Sequence, residues 1–175
     1  MPADPLALET RRRLFDVVRT TPGLSAREIQ RGAGTGWGET VYHLERLEES
    51  GLLQRERGGH QDFYFAASVP LGERTLLRLA RSAAVRRILV TVLDRPGRTL
   101  PEIAEGTAMS LSRASIHLRR LLDTGVVASG QRDRWRTFSV IEPERVARLL
   151  VLYRAGFQDD WIDRLSGAWA DLFPA

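Results

Sequence analysis

The chain has 175 residues, is 43% hydrophobic, carries a net charge of +4 and contains no cysteine. That length allows one ordinary domain or two small ones, each near the lower limit for an independent core, and it excludes a disulfide framework, a thiolate metal site and a cysteine nucleophile. No run of about 18 apolar residues occurs and the start MPADPLALETRRR holds no apolar signal core, so the expectation is a soluble cytoplasmic protein without a membrane partner.

All 26 basic residues are arginine. Guanidinium forks onto phosphate or guanine in a way ammonium does not, although coding bias yields the same composition. Position is more informative than type. Residues 1–69 hold 9 Arg against 10 acidic residues, residues 70–140 hold 13 against 6, and residues 141–175 hold 4 against 6. The basic middle third implies an anionic partner there.

In chain order, Leu14, Phe15, Val17 and Val18 recur at helical spacing and predict a first helix that stops at Pro22-Gly23. Ser25 stands three residues before Glu28, the arrangement of a capping box, and starts a short second helix that runs into glycine-containing turns around Gly32 to Gly38. A third helix carries TVYHLERLEES to Gly51, and LLQRERGGHQDFYFA reads as a hairpin with Gly58-Gly59 at its tip. The same series then recurs. Val85, Ile88, Leu89 and Val92 predict a helix ending at Pro96-Gly97, and Thr99 with Glu102 forms the next capping box. A turn is expected at Gly106, ASIHLRRLLDT leads to Gly125, and VVASGQRDRWRTFSV forms a second hairpin. In the tail, Pro143 opens a helix striped by Val146, Leu149, Leu150 and Tyr153, and a further helix after Gly156 is striped by Phe157, Trp161, Leu165, Trp169 and Leu172.

Adding 74 to residue numbers 12–53 aligns the two series without a gap, matching among others Pro22 with Pro96, Glu28 with Glu102, His43 with His117 and Gly51 with Gly125. A period this long is a small domain rather than a solenoid unit. The expected organisation is residues 1–69, residues 70–141 and a C-terminal helical segment of residues 142–175. The stretches EIQRGAGTGWGETVYHLERLEESGLLQRERGGHQDFYF and EIAEGTAMSLSRASIHLRRLLDTGVVASGQRDRWRTFSV each resemble a winged helix-turn-helix of the ArsR/MarR type, and their duplication resembles archaeal tandem winged-helix transcription regulators. The resemblance covers roughly residues 10–140. It implies a mainly α fold with small β-hairpin wings, two tandem winged helix-turn-helix domains plus C-terminal helices, and a double-stranded DNA partner. Winged helices also serve as protein adaptors.

DNA binding requires small polar and arginine side chains on the outer face of the third helix and a basic wing. With Ala114, Leu118 and Leu121 inward, the second repeat turns Ser112, Ile116, Arg119 and Arg120 outward, flanked by Arg113 and Ser115 and preceded by Ser110. The first repeat offers Gly38, Tyr42, Glu45 and Arg46, flanked by Glu39 and Val41, and its carboxylates suit a polyanion poorly. Arg132, Arg134 and Arg136 alternate along the second wing, which predicts all three on one side of a strand. The first wing has Arg55 and Arg57, diluted by Glu56 and Asp62. The second repeat is therefore expected to be the main reader, the alternative being a solvated arginine face.

His43 and His117 read as packed structural histidines, no metal-ligand spacing occurs, and GAGTGWG lacks the GK[ST] of a phosphate-binding loop. No nucleophile and base pairing is visible, so no catalysis or cofactor is expected, and no residue pattern names a small-molecule effector. The aromatic stripe from Tyr153 to Leu172 either covers the two repeats or forms a contact between copies; the resemblance to regulators that dimerise through terminal helices implies a homodimer. The expected function is a nucleoid-associated DNA-binding transcriptional regulator; an architectural chromatin protein and a protein adaptor remain alternatives.

Overall fold

A computed structural model describes residues 4–157. Helix α1 (Glu9–Thr20) buries Leu14 and Val18, and Ser25 then starts α2 (Ala26–Ala33) through a complete capping box with Glu28. Gly34, at φ 64, ends α2, and Gly36 leads into α3 (Trp37–Glu49). A two-stranded antiparallel hairpin follows, β1 (Leu53–Gly58) and β2 (Gln61–Ala66), paired from Leu53 with Ala66 to Gly58 with Gln61. Leu14, Val18, Leu24, Ile29, Leu44, Leu47 and Leu53 close one core among these elements.

The second repeat builds the same elements: α5 (Ala83–Asp94), α6 (Leu100–Thr107), α7 (Leu111–Asp123), β4 (Val127–Arg132) and β5 (Trp135–Val140). Each begins and ends 74 residues after its counterpart, so the structural register of the duplication runs on through both hairpins. Leu24 bridges Tyr64 in the first repeat, and at the equivalent place β3 (Arg98–Thr99) adds a third strand beside β5.

Two features depart from the sequence expectations. Gly32 and Gly106 lie inside α2 and α6 rather than in turns; the second turn is made by Ala108, at φ 53. Both glycines mark close helix packing, since a Cβ on Gly32 would stand 3.1 Å from Val17 Cγ1 and one on Gly106 3.0 Å from Thr91 Cγ2. Val17 and Thr91 are themselves 74 apart, so the duplication preserves the contact. The second departure is α4 (Leu71–Ala80), a helix after the first hairpin that sequence periodicity did not single out. It occupies the place that α8 (Pro143–Leu152) takes after the second hairpin.

The chain divides into two compact units at Arg74/Thr75, within α4. In the first, buried Arg74 donates from Nε and Nη2 to the Val69 carbonyl at 3.3 and 3.2 Å, donates to Gln54 Oε1, and lies over the Phe65 ring. In the second, α8 packs on α5 through Val146, Ala147, Leu149 and Leu150. Buried Arg86 donates to the carbonyls of Ala80 (2.6 Å), Arg81 (3.0 Å) and Phe157 (3.1 Å) and stacks on the Phe157 ring. Among the described residues no helix is long and apolar enough to cross a membrane, and no cluster of metal-ligating side chains occurs.

Candidate nucleic-acid interface

The third helix of each repeat presents a face set by its buried side. In α7, Ala114, Leu118 and Leu121 are buried, which leaves Ser112, Arg113, Ile116, Arg119 and Arg120 exposed and Ser115 half-buried. Ser110 caps the helix, its Oγ accepting from the Arg113 amide at 3.3 Å, so its side chain is committed to the helix terminus. Arg113, Arg119, Arg120, Arg134 and Arg136 form no ion pair among the described residues.

A cleft of about 330 Å³ lies between α7 and the second hairpin, lined by Leu100, Ser115, Leu118, Arg119, Leu122, Asp123, Arg136 and Phe138. It brings together three residues singled out from sequence, Ser115 and Arg119 on the helix and Arg136 on β5. Arg136 also donates to Ser129 Oγ at 3.0 Å and lies over Phe138, which holds its guanidinium on the α7 side.

The expectation that Arg132, Arg134 and Arg136 share one side of a strand is not met. The hairpin turns at Asp133 and Arg134, with Asp133 at φ 56, so Arg132 ends β4 opposite Trp135 while Arg136 pairs with Gln131. Neighbouring cross-strand pairs point to opposite faces, and Arg132 and Arg136 therefore diverge. Arg132 reaches toward Glu102 on α6, at 3.7 Å, and Arg134 sits at the tip over the exposed ring of Trp135.

The first repeat differs in charge at matched positions. Glu39, Glu45 and Asp62 stand where the second repeat has Arg113, Arg119 and Arg136. The basic groups of the first hairpin are also neutralised: Arg55 pairs with Glu48 (3.2 Å) and Asp62 (3.5 Å), and Arg57 lies 3.8 Å from Asp62. Burial raises the Glu48 carboxyl above its ordinary value, with Arg55 pulling the other way. On α3, Arg46 is tied to Glu49 at 2.6 Å. Three cations of the first repeat, Arg46, Arg55 and Arg57, are thus already paired with carboxylates. The pairing of Arg55 with Glu48 joins hairpin to helix and is invisible to a one-strand reading.

Both repeated histidines are held toward the neutral form. Burial lowers His43, helped by Arg11, whose Nε lies 3.5 Å from His43 Nδ1, while Glu39 opposes the shift. Burial also lowers His117, with Arg113 and Arg120 adding to it.

Residues 81–128 match the family model described as winged helix-turn-helix DNA-binding, and residues 8–77 match one described as an N-terminal HTH domain. The chain is a tandem winged helix-turn-helix protein. This tandem winged-helix chain is 24% identical over 121 residues to an uncharacterized HTH-type transcriptional regulator of Methanocaldococcus jannaschii. The match covers 69% of the chain but only 30% of the relative's length. Among solved structures, ScpB from Mycobacterium tuberculosis is similar at 17% identity and a TM-score of 0.34, over 85% of this chain and 98% of that one.

Of the residues expected at a dimer contact, Phe157 is buried beneath Arg86 of its own chain, so its ring is occupied within the fold. Tyr153 is half-buried at the end of α8. Trp161, Leu165, Trp169 and Leu172 lie outside the described residues.

Proposed function

We propose that this tandem winged-helix protein is a cytoplasmic, nucleoid-associated transcriptional regulator that binds duplex DNA, with the second repeat as its main reader, and works as a homodimer. The observation that carries the reading is the exchange of Glu39, Glu45 and Asp62 for Arg113, Arg119 and Arg136 at equivalent places on equivalent elements. Arginines without carboxylate partners release counterions when they meet phosphates, whereas carboxylates on the same face repel them.

On this reading α7 enters the major groove, with Ser112, Arg113, Ser115, Arg119 and Arg120 facing base edges and phosphates. Arg136, beside Arg119 across the cleft, and Arg134 at the hairpin tip hold the flanking backbone. Arg132 is turned toward Glu102 and contributes less. Arg55 and Arg57 assist weakly, being paired with acids. The homodimer would form through Tyr153 and the segment beyond Phe157, and a twofold of that kind matches paired half-sites. The reading assigns the protein no reaction and no cofactor.

The test is fluorescence anisotropy of the full chain on a selected duplex pool and on random duplex across a salt series. Selective binding that survives physiological salt supports a regulator. Equal, steeply salt-sensitive binding replaces it with chromatin architecture, and absence of binding replaces it with an adaptor.

A further inference from the structure

The outward faces of α3 and α7 are complementary to each other. At the centre of each stands one exposed apolar side chain at equivalent positions: Tyr42 on α3, 50% exposed, and Ile116 on α7, 66% exposed. Around Tyr42, Glu39 lies three residues before and Glu45 three after; around Ile116, Arg113 lies three before and Arg119 three after. Residues three apart share a helix face, so each face is an apolar centre flanked by two like charges, acidic on α3 and basic on α7. Glu39 and Glu45 form no ion pair among the described residues, as the two arginines do not.

We propose that the α3 face of one copy docks on the α7 face of a second copy of this chain and shields that face from DNA. The shielding rests on the reading of α7 as the DNA face. With the helices antiparallel and crossing at Tyr42 and Ile116, Glu39 meets Arg119 and Glu45 meets Arg113. Arg46 and Arg120 then fall near Ser112 and Gly38, which leave room for them. A parallel pairing would also match the acids to arginines but would set Arg46 against Arg120 and align the two helix dipoles unfavourably, so charge selects the antiparallel form. The tyrosine ring on the isoleucine removes an apolar centre from water, and the charged flanks fix the register. The partner's chemistry is specified by these flanks: an apolar centre between two arginines at a spacing of six, which this chain itself supplies.

The absence of native cysteine makes a direct test clean. Equimolar Tyr42→Cys and Ile116→Cys chains, mixed under mild oxidation, should form the mixed disulfide in several-fold excess over either same-site disulfide. Duplex DNA should suppress it. Adding Glu39→Arg and Glu45→Arg to the first chain should abolish the crosslink, and adding Arg113→Glu and Arg119→Glu to the second should restore it, an outcome that misfolding does not produce. Same-site disulfides in excess overturn the proposal, as does a chain carrying both cysteines that closes on itself at every dilution. A mixed disulfide that DNA leaves untouched overturns the shielding and, with anisotropy showing no need for Arg113, locates the failure in the DNA reading. If anisotropy does require Arg113 and no crosslink forms, the failure belongs to the docking alone.

Discussion

Asp62 and Arg136 occupy the same position in the two hairpins, each at the second residue of the returning strand, and carry opposite charge. Asp62 holds Arg55 and Arg57 within 3.8 Å, whereas Arg136 faces the cleft beside Arg119. One substitution therefore changes the field of a whole wing. Arg136→Asp should lower duplex affinity and make the plot of log affinity against log salt shallower by about 1, the loss of one phosphate contact. Asp62→Arg should raise affinity modestly by freeing Arg55 and Arg57. An unchanged slope in Arg136→Asp would remove the second wing from the interface.

Charge reversal at Arg113 and Arg134 together should remove most duplex affinity, because neither guanidinium group has a carboxylate partner among the described residues. The same reversal at Arg46 and Arg57 should cost far less, since Glu49 and Asp62 already hold those groups. Anisotropy titrations of the two double variants at one fixed salt concentration compare them directly. A larger loss from the first-repeat pair would reverse the assignment of reader and helper.

Much of the fold was legible because its signals are local. Ser25 with Glu28 and Thr99 with Glu102 announce helix starts within four residues, and glycines at positive φ such as Gly51 and Gly125 announce helix ends. Helix α4 was not legible, because Arg74 on its inner side reads as a solvated residue until the Val69 carbonyl and Gln54 are brought around it. The second wing misled for a related reason. Its turn uses Asp133 at φ 56 instead of a glycine, so no glycine marked where β4 stops, and one arginine on β4, one in the turn and one on β5 looked like three on one strand. Outward residues of α7 came through intact, since helical period alone fixes them once the buried side is known.

Gly106 supports a prediction about packing. Alanine in a helix gains up to about 1 kcal/mol over glycine, but here the new methyl would meet Thr91 Cγ2 at 3.0 Å. Overpacking of this kind costs about 1–3 kcal/mol, so Gly106→Ala should be net destabilising in urea denaturation. Thr91→Ser removes the opposing methyl, and the double variant Thr91→Ser with Gly106→Ala should recover most of the loss. A failure of the serine to rescue would mean that the glycine is needed for some reason other than this contact.

The two repeated histidines predict an acid-sensitive window. Burial places both folded-state values below the ordinary 6.5, so the unfolded chain takes up protons first as pH falls. Their contribution is fully present above 6.5 and is lost as pH falls from there through the depressed values. Glu102 adds a second, lower window: hydrogen bonds from the Thr99 amide and then its hydroxyl hold the carboxyl below 4.5, so that stability is lost as pH falls below 4.5. Urea midpoints followed from about pH 7 to about pH 5 should decline in the wild type and decline less in His43→Gln with His117→Gln. An equal decline in both would assign the acid sensitivity to other groups.

Arg86 gathers the carbonyls of Ala80, Arg81 and Phe157 around one buried guanidinium, tying the end of α4 and the turn after α8 to α5. Leucine at this position keeps the apolar stem but leaves those carbonyls without this donor. With about 1–3 kcal/mol lost per buried group left unsatisfied, and water reaching some of them, Arg86→Leu should destabilise the second unit by about 2–4 kcal/mol. Lysine supplies one ammonium where the fork supplied two nitrogens and should recover only part of that. Hydrogen exchange resolves where the loss falls: amides of α5 and α8 should lose protection while those of α1 to α3 keep theirs. If α1 to α3 lose protection equally, Arg86 does not act on the second unit alone, and the two units unfold as one.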